Sequence, residues 1–307
     1  MRVLVTGAAG FAGGWLLRAL REDGHEVVAA SQDGSPPTPR GAAEVEWIGM
    51  DVTSDDGVRQ AVGRARPDVV YHLAGQASVA TSFADPLGTW DVNATGTLRL
   101  AMALPRGTRL LVVSSAEVYG VVPEGEQPIA EPRPPCPCNP YAASKAAAEL
   151  AALQADGVQV FVARAFNHTG PGQDARFAIA SFAQQLAGMR GEADPVLHVG
   201  NLEARRDLLD VRDVVRGYQA IVERGEPGGV YNVCSGEAHS MHDVVARLVR
   251  ISGTRARVAV DPERVRPVDL PLLLGDNARL RALGWAPRMP LEQTLSDLLD
   301  SFADEAA

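Results

Sequence analysis

Short apolar runs alternate with helical patterns through the first half of the chain. The first run, residues 2–6, leads into a glycine-rich turn, and a helical pattern of apolar positions follows at 15–21. Further strands are predicted from apolar runs at 26–30, 45–48, 69–73, 109–114 and 158–164, and the helices between them include 54–66, 86–104 and 141–155. This alternation predicts an α/β fold in which helices cover both faces of a parallel sheet.

The pattern of apolar positions changes after about residue 165. Short strands are predicted at 195–199 and 229–233, mixed with helices at 175–188, 211–224, 240–252 and 291–303. We therefore predict one domain over residues 1–165 and a smaller α/β lobe over residues 166–307, with some crossing of the chain between them. The smaller lobe is expected to face the substrate.

Composition excludes several classes of protein. The chain of 307 residues has 46% hydrophobic residues and a formal net charge of -9, which argues against a general nucleic-acid binder or a binder of acidic membranes. It has neither a long apolar run nor a charged leader, so we expect a soluble cytoplasmic protein. Its three cysteines, two of them in a Cys-Pro-Cys segment, supply too few ligands for a zinc site, and no bound metal is predicted.

Lys145 is the only lysine of the chain, against 28 arginines. It follows Tyr141 by four residues in a segment of strong helix formers that begins at Pro140, so both side chains should share one helix face. An ammonium beside a phenol is expected to lower the phenol's pKa from about 10 and to allow proton exchange near neutral pH. We predict an acid/base pair, although the spacing alone also occurs on ordinary surface helices.

The glycine-rich turn is a candidate site for a dinucleotide. Gly7, Gly10 and Gly13 lie between the first strand and the first helix, where backbone amides and the helix dipole favour a pyrophosphate. Asp51 and Val52 follow the third strand, in a position to meet the adenine. A helix cap or a turn remains the alternative for Asp51.

Five motifs occur in the order that is typical of one enzyme family. They are residues 6–13, His72 to Gly75, Asp91 to Thr97, Ser114 to Gly120 and Tyr141-x-x-x-Lys145. The chain resembles the extended short-chain dehydrogenase/reductases, which have a Rossmann-type doubly wound parallel sheet. The resemblance implies that Ser115 positions the substrate oxygen, that Tyr141 is the acid/base, and that Lys145 holds the nicotinamide ribose. It also implies a cofactor pocket that includes Phe11, Ala12, Leu73, Ala74, Gly75 and Asn93.

Motifs of the second half resemble the branch of this family that acts on GDP-linked sugars. They are residues 164–173, 200–207, 230–236, 266–271 and 274–277. The resemblance implies that Asp269 contacts the nucleotide's ribose. It also implies contacts to the rest of a GDP-linked substrate from Ser82, Asn167, Asn201, Arg206 and Arg266. Arginine offers bidentate bonds to phosphate, which explains how an acidic protein could hold an anionic substrate.

Two departures from the branch narrow the reaction. Asp269 stands where Glu is usual, which puts the preferred nucleotide in question, and Ala116 stands where related dehydratases carry a proton-donating Ser or Asp. Glu117 could remove the C5 proton in a dehydration, but Ala116 cannot protonate the leaving hydroxyl. We therefore predict reduction of the C4 keto group of a GDP-4-keto-6-deoxyhexose. The competing hypotheses are a GDP-mannose 4,6-dehydratase, a nucleotide-sugar 4-epimerase and a catalytically silent nucleotide-sugar-binding protein.

The second strand bears on the choice of cofactor. NAD-specific relatives place an acidic residue after this strand, whereas this chain has Ser31 and Gln32, with Asp33 two positions late and Arg40 further on. This favours NADP(H) over NAD(H). The helices at 90–103 and after Tyr141 resemble the pair through which the family dimerises, so a homodimer is expected.

Overall fold

The central feature of the protein is a seven-stranded parallel sheet. The computed structural model describes residues 1–36, 45–189, 191–264 and 270–306. Its strands are β1 (Arg2–Thr6), β2 (Glu26–Ser31), β3 (Glu46–Gly49), β4 (Val69–His72), β5 (Arg109–Ser115), β6 (Gln159–Ala165) and β10 (Val230–Val233). They lie in the order β10-β6-β5-β4-β1-β2-β3.

Helices cover both faces of this sheet, as predicted. The described helices are α1 (Phe11–Glu22), α2 (Asp55–Ala65), α3 (Val79–Ala84), α4 (Pro86–Trp90), α5 (Gly96–Ala103), α6 (Pro140–Ala152), α7 (Ala178–Gly188), α8 (Val211–Arg224), α9 (Met241–Ser252), α10 (Ala278–Ala282) and α11 (Leu291–Ala306). Alternate residues of β1 enter the two cores: Val3 and Val5 pack with α1 and α8, and Leu4 packs with α2 and α5. The period of two along a strand is what separates these cores.

The sheet to which β10 belongs differs from the prediction. The sequence predicts the strand at 229–233 in the smaller lobe, but Val230–Val233 pairs in parallel with β6 and extends the central sheet. The preceding helix α8 packs against β5 and β6, so it returns the chain to this sheet. The expected crossing of the chain therefore includes a full helix and strand.

A smaller group of elements lies beyond β6. β7 (Asn167–Thr169), β9 (Arg205–Asp210), β11 (Ala238–Ser240) and β13 (Leu272–Leu273) form a second sheet, and β8 (Val196–Val199) pairs with β12 (Arg257–Val260). Helices α7, α9 and α11 enclose a separate apolar core. The apolar pattern predicted β8 alone among these strands. It missed β9, which has six residues, because β9 begins with Arg205, Arg206 and Asp207 and has no continuous apolar run.

The helix predicted at 86–104 contains an irregular turn. α4 and α5 are joined by a single π-helical turn, Asp91–Thr95, which includes Asn93. Such turns occur frequently at functional sites because they redirect a side chain without ending the helix. Among the described residues, no helix is long and apolar enough to cross a membrane.

Candidate active site

The first turn of α6 places the predicted acid/base pair. Asn139 caps the helix, since its Oδ1 accepts a hydrogen bond from the Ala142 amide (2.8 Å), and Pro140 occupies the first helical position. Tyr141 and Lys145 lie one turn apart on the buried face, each only 9% exposed. The helix therefore presents both side chains towards the carboxyl end of the central sheet, where ligands of such folds bind.

Burial dominates the ionisation of both side chains. It lowers the pKa of Lys145 to about 8, although nearby Glu149 acts in the opposite direction. Burial also raises the pKa of Tyr141 to about 12, against the effect of a hydrogen bond with Ser115. The expected lowering of the Tyr141 pKa is therefore wrong for the free chain. Lys145 Nζ instead donates a hydrogen bond to the carbonyl of Val113 (3.0 Å).

The end of β5 brings two further predicted site residues, Ser115 and Glu117, to the same region. Ser115 is its last residue, and the Ser115 Oγ accepts a hydrogen bond from the Glu117 amide (3.2 Å). The side chain of Glu117 is partly exposed, and its Oε2 accepts from Asn139 Nδ2 (3.2 Å). Ala116 is 1% exposed and belongs to an apolar cluster. The predicted serine, tyrosine, lysine and glutamate thus lie at one site, beside an apolar position 116.

The glycine turn approaches neighbouring backbone too closely for a side chain. At Gly7, where φ is +66°, an added Cβ would lie 2.6 Å from the Ala74 amide nitrogen, and at Gly13 it would lie 2.5 Å from the Gly7 carbonyl oxygen. Gly10 caps α1, which begins with Phe11 and Ala12, and no side chain among the described residues caps this helix start. Amides left uncapped at a helix N-terminus suit a phosphate group.

The π-helical turn brings a further predicted residue to Lys145. Asn93 Oδ1 accepts from the Gln76 amide (2.8 Å), and its Nδ2 donates to Ser144 Oγ (2.9 Å) on α6. A Cβ at Gly75 would lie 3.0 Å from Asn93 Oδ1 and 3.1 Å from Lys145 Nζ. The glycine therefore lets the loop after β4 pass directly over both polar groups.

A buried histidine fixes the loop that follows β4. The Thr97 hydroxyl donates a hydrogen bond to the Asn93 carbonyl (2.6 Å), so its oxygen accepts one from His72 Nε2 (3.0 Å). His72 Nδ1 is therefore unprotonated and accepts a hydrogen bond from the Thr6 hydroxyl (2.7 Å). Burial lowers the pKa of His72 to about 3, so the ring is neutral. The Thr6 hydroxyl in turn accepts from the Ala74 amide (3.2 Å), and the Thr6 carbonyl accepts from the Leu73 amide (3.1 Å).

The predicted adenosine end of the site has its own internal bonds. Ser31 Oγ donates to the Ser35 carbonyl (2.9 Å), and Asp33 accepts from the Ser35 amide (3.0 Å). Asp51 accepts from both the amide (2.9 Å) and the hydroxyl (2.7 Å) of Thr53, so it forms a turn in the free chain. Val52 is buried, and an added Cβ at Gly96 would lie 3.0 Å from its side chain. Arg40 lies outside the described residues.

The predicted substrate residues divide into three groups. Asn167 on β7 pairs with Leu208 of β9, the strand that carries Arg206, so the two residues lie on adjacent strands. Ser82 is fully buried and donates to the Val79 carbonyl (2.7 Å), while Asn201 accepts from the Glu203 amide (2.9 Å). Two further predicted residues, Arg266 and Asp269, lie outside the described residues.

Comparisons with known proteins identify the family. The family profile described as GDP-mannose 4,6 dehydratase matches residues 4–298. The chain belongs to this family. It is 42% identical to the GDP-6-deoxy-D-mannose reductase of Pseudomonas aeruginosa over 77% of this chain and 80% of that protein. The predicted family and the class of NAD(P)-dependent enzyme are confirmed.

Two solved structures of similar fold contain nicotinamide cofactors. The RMD protein of Pseudomonas aeruginosa, solved with NADPH, superposes with a TM-score of 0.86 at 35% identity and covers 99% of this chain and 100% of that chain. The UDP-glucose 4-epimerase of Thermus thermophilus, solved with NAD, has a TM-score of 0.86 at 32% identity, covering 98% and 99%. These similarities confirm the predicted Rossmann-type fold and a nicotinamide cofactor. Solved structures with NADPH and with NAD share this architecture.

The structure of this family member also includes contacts that the sequence did not predict. His168, next to Asn167, stacks on Phe11 at the start of α1, with ring centroids 6.1 Å apart and planes within 8°. The indole nitrogen of Trp15 donates to the Pro171 carbonyl (3.0 Å). These contacts join the glycine turn to the segment after β6. The position of His168 inside the 164–173 motif was the available signal.

The backbone amides of the glycine turn suit the diphosphate of an organic cofactor. Among the residues that the structure describes, no group of three or more His, Cys, Asp or Glu side chains could hold a metal ion. The glycine turn and the uncapped start of α1 instead form a cradle of backbone amides. That cradle fits the diphosphate of a nicotinamide dinucleotide.

Proposed function

We propose that this protein reduces the C4 keto group of a GDP-4-keto-6-deoxyhexose with NADPH, giving a GDP-6-deoxyhexose such as GDP-rhamnose. The observation that carries the proposal is the grouping of Ser115, Tyr141 and Lys145 beside an apolar Ala116. Reduction needs a hydride and one proton, and it needs no second acid at position 116. The 42% identity with a GDP-6-deoxy-D-mannose reductase supports the same substrate class.

The proton for the reaction would come from Tyr141. When bound, the reduced nicotinamide supplies the hydride for C4. As negative charge develops on the C4 oxygen, the Ser115 hydroxyl donates a hydrogen bond to it and the Tyr141 phenol transfers its proton. With a pKa of about 12, Tyr141 is fully protonated at neutral pH, which suits a proton donor. Lys145 would hold the nicotinamide ribose and stabilise the phenolate that remains.

The remaining cofactor contacts are proposed from their placement around the glycine turn. The start of α1 and the glycine turn would bind the diphosphate, and the segment after β4 would line the nicotinamide side. Ser31 would face the adenosine 2′-position, and Asp51 and Val52 the adenine. In chain order the proposed cofactor residues are Gly7, Gly10, Phe11, Ala12, Gly13, Ser31, Asp51, Val52, Leu73, Ala74, Gly75, Asn93, Tyr141 and Lys145.

We propose a preference for NADPH over NADH. Ser31 is neutral, and the Asp33 carboxylate is held by the Ser35 amide, so neither supplies the usual acidic partner for a ribose 2′-hydroxyl. The dissociation constants of NADPH and NADH, measured by fluorescence, test this. Ser31→Asp should weaken NADPH binding at least tenfold by charge repulsion and spare NADH. Ser31→Ala, which adds no charge, is the matched control, and a parent that prefers NADH contradicts the proposal.

The substrate's nucleotide would lie on the second sheet. Asn167 and Arg206, on adjacent strands, would contact the diphosphate together with Asn201 and Arg266, and Asp269 would contact the nucleotide's ribose. Ser82, on α3, would contact the substrate elsewhere. Arg206 Nη1 already donates to the carbonyls of Arg205 (2.9 Å) and Leu270 (2.5 Å), which fixes the guanidinium beside β9. A guanidinium fixed in this way is preorganised for phosphate.

One experiment separates the proposed reductase from a dehydratase. The protein is offered GDP-4-keto-6-deoxymannose with NADPH or NADH, and separately GDP-mannose with NADP+ or NAD+, and the products are identified. We expect oxidation of reduced cofactor with the keto sugar and no keto sugar from GDP-mannose. Formation of keto sugar would make the protein a dehydratase with Glu117 as the base.

The same protein preparation separates the reductase from an epimerase and from a silent binding protein. A 4-epimerase retains its nicotinamide through the reaction, so purified protein that already carries tightly bound cofactor would favour epimerisation. A catalytically silent binding protein would bind the keto sugar and NADPH without turnover. The reductase requires turnover that depends on added reduced cofactor and on Tyr141.

We also propose that the protein is a homodimer. Large apolar side chains are exposed along α4, α5 and α6: Leu87 (83%), Met102 (75%), Leu150 (63%) and Trp90 (46%). Neighbouring helices carry them, and a second copy of the same face would bury them. Sedimentation should give a dimer for the parent and a monomer for the Met102→Glu/Leu150→Glu variant. A monomeric parent would contradict the proposal.

A further inference from the structure

A buried ion pair lies directly behind the proposed catalytic residues. Glu149 is on α6 one helical turn after Lys145, and Arg164 is on β6; the two residues are 2% and 4% exposed. Arg164 Nη2 donates to Glu149 Oε2 (2.7 Å), and its Nε donates to Oε1 (3.0 Å). The pair is therefore bidentate and almost completely buried.

The same carboxylate also binds the strand that carries the catalytic serine. The Ser114 hydroxyl donates to Glu149 Oε1. Ser114 stands on β5 between Ser115 and Val113, whose carbonyl accepts the hydrogen bond from Lys145. Glu149 thus holds α6 against β5 at the level where both elements supply reactive groups.

We propose that Glu149 is a positioning residue that keeps Lys145 an ammonium in the nucleotide site, by placing a carboxylate one turn away and by holding α6 against β5. Nothing in the proposed reaction assigns Glu149 a step, since its carboxylate is bonded to Arg164 and to Ser114. The inference rests on the proposed function, because it takes Lys145 as the residue that binds the nicotinamide ribose.

The groups packed around Lys145 single out Glu149 as its counter-charge. His72 on β4 is neutral, because burial lowers its pKa to about 3, and Tyr141 on α6 is protonated, with a pKa of about 12. Glu117, from the short helix after β5, acts on Tyr141. Burial lowers the pKa of Lys145 to about 8, and Glu149 is the charge that opposes this. Without it the ammonium would lose its proton nearer to neutral pH.

Cofactor binding as a function of pH tests the inference without turnover. The dissociation constant of NADPH is measured by fluorescence with the full chain between pH 6 and pH 10. For the parent, binding should weaken with a midpoint near pH 8, as Lys145 loses its proton. In Glu149→Gln the midpoint should fall by about one pH unit, because a nearby negative charge is lost. Glu149→Asp, which keeps the charge, should recover most of this shift.

A matched control separates charge from packing. Glu131 is also a buried carboxylate (8% exposed), and its side chain accepts a hydrogen bond from the Asn232 amide (2.9 Å) rather than facing Lys145. Glu131→Gln should leave the midpoint where it is in the parent. If Glu149→Gln weakens binding equally at every pH and keeps the midpoint, Glu149 is only structural and the inference is overturned.

Two further variants keep the test decisive. If Glu149→Gln does not fold because Arg164 is left unpaired, the Glu149→Gln/Arg164→Gln variant removes the carboxylate together with its guanidinium partner, so we expect a downward shift smaller than about one pH unit. Lys145→Met should abolish the pH dependence. If Lys145→Met instead keeps the parent's pH profile, Lys145 does not bind the cofactor, and the proposed function fails together with the inference. A downward shift in Glu149→Gln combined with a flat Lys145→Met profile supports both.

Discussion

Two buried cations beside α6 have pKa values that are shifted in opposite directions. We call the turn of α6 that carries Tyr141 and Lys145 the reactive end, and the turn that carries Glu149, which binds Arg164, the anchoring end. At the reactive end, Lys145 has one backbone carbonyl as its hydrogen-bond acceptor, and burial lowers its pKa to about 8. At the anchoring end, Arg164 binds both oxygens of Glu149 and lies 4.7 Å from the centre of the Tyr119 ring. Burial acts to lower the Arg164 pKa, but the Glu149 carboxylate outweighs it and raises that pKa. The difference teaches that pairing with a carboxylate decides the direction in which burial shifts the pKa of a cation.

The anchoring end also extends across the sheet. The Tyr119 hydroxyl donates to Asn232 Oδ1 (2.7 Å) on β10, and Asn232 Nδ2 donates to the carbonyls of Ile129 (2.8 Å) and Asp276 (3.1 Å). A network with its polar groups satisfied is rigid. The reactive end, by contrast, leaves hydrogen-bonding capacity on Ser115, Tyr141 and Lys145 for ligands.

The largest expected effect is on turnover at the reactive end. Tyr141→Phe removes the proposed proton donor and should lower kcat for the keto sugar about a thousandfold. Tyr119→Phe is the matched control, because it removes a buried hydroxyl from the anchoring network and should leave kcat near the parent value. Equal turnover by Tyr141→Phe and the parent would remove Tyr141 from the mechanism.

The second effect is on stability at the anchoring end. Arg164→Met leaves the Glu149 carboxylate buried without its partner and should lower the free energy of unfolding at pH 7 by about 3 kcal/mol. Urea denaturation measures this. Arg99→Met, which breaks more exposed ion pairs with Asp55 and Asp91, should cost less than about 1 kcal/mol. A loss of the same size in both variants would show that burial adds nothing to the Arg164 pair.

The third effect is a gain, rather than a loss, in the free energy of unfolding. The pKa of Lys145 in the folded chain, about 8, is below its ordinary 10.5, so burying the ammonium costs stability in full below pH 8 and the cost fades as pH rises towards 10.5. Lys145→Met should therefore stabilise the free protein at pH 7 by about 2 kcal/mol, after loss of one hydrogen bond.

Denaturation at pH 7 and at pH 10 tests whether this gain in stability comes from the buried charge. Most of the gain in Lys145→Met should be absent at pH 10, and Lys145→Arg, which keeps a permanent charge, should show no gain at pH 7. A gain that is equal at pH 7 and pH 10 would mean that packing rather than charge explains it. Activity should fall in both variants if a compact ammonium is required.

The smallest effect is expected at the residue that caps the start of α6. Asn139→Ala removes the bond to the Ala142 amide and the bond to Glu117, and it should lower stability by about 1 kcal/mol. Ser54→Ala removes the equivalent cap of α2, where the hydroxyl accepts from the Gly57 amide (3.1 Å). Both should lose similar stability, but only Asn139→Ala should also lose turnover. Unchanged turnover in Asn139→Ala would show that the cap does not position Tyr141.

The accuracy of the sequence-based predictions depended on how local each feature was. Spacing within one helix predicted that Tyr141 and Lys145 are neighbours, and a glycine turn after a strand predicted the cradle at α1. The direction of the Tyr141 pKa shift was wrong, because desolvation depends on what packs around the phenol and not on its helix. The place of β10 was wrong for the same reason, since the partners of a strand are not encoded in its own residues.

By itself, the sequence determined the order of strands and helices in the first half, the family, and a single lysine one turn after a tyrosine. These follow from periodicity, chirality and turn chemistry, which act between residues close in the chain. Only the tertiary structure decided that Glu149 meets Ser114 and Arg164, and that Asn93 meets Gly75 beside Lys145. Those contacts join residues that are distant in the chain, and the burial that gives them their electrostatic effect exists only once the sheet and helices have packed.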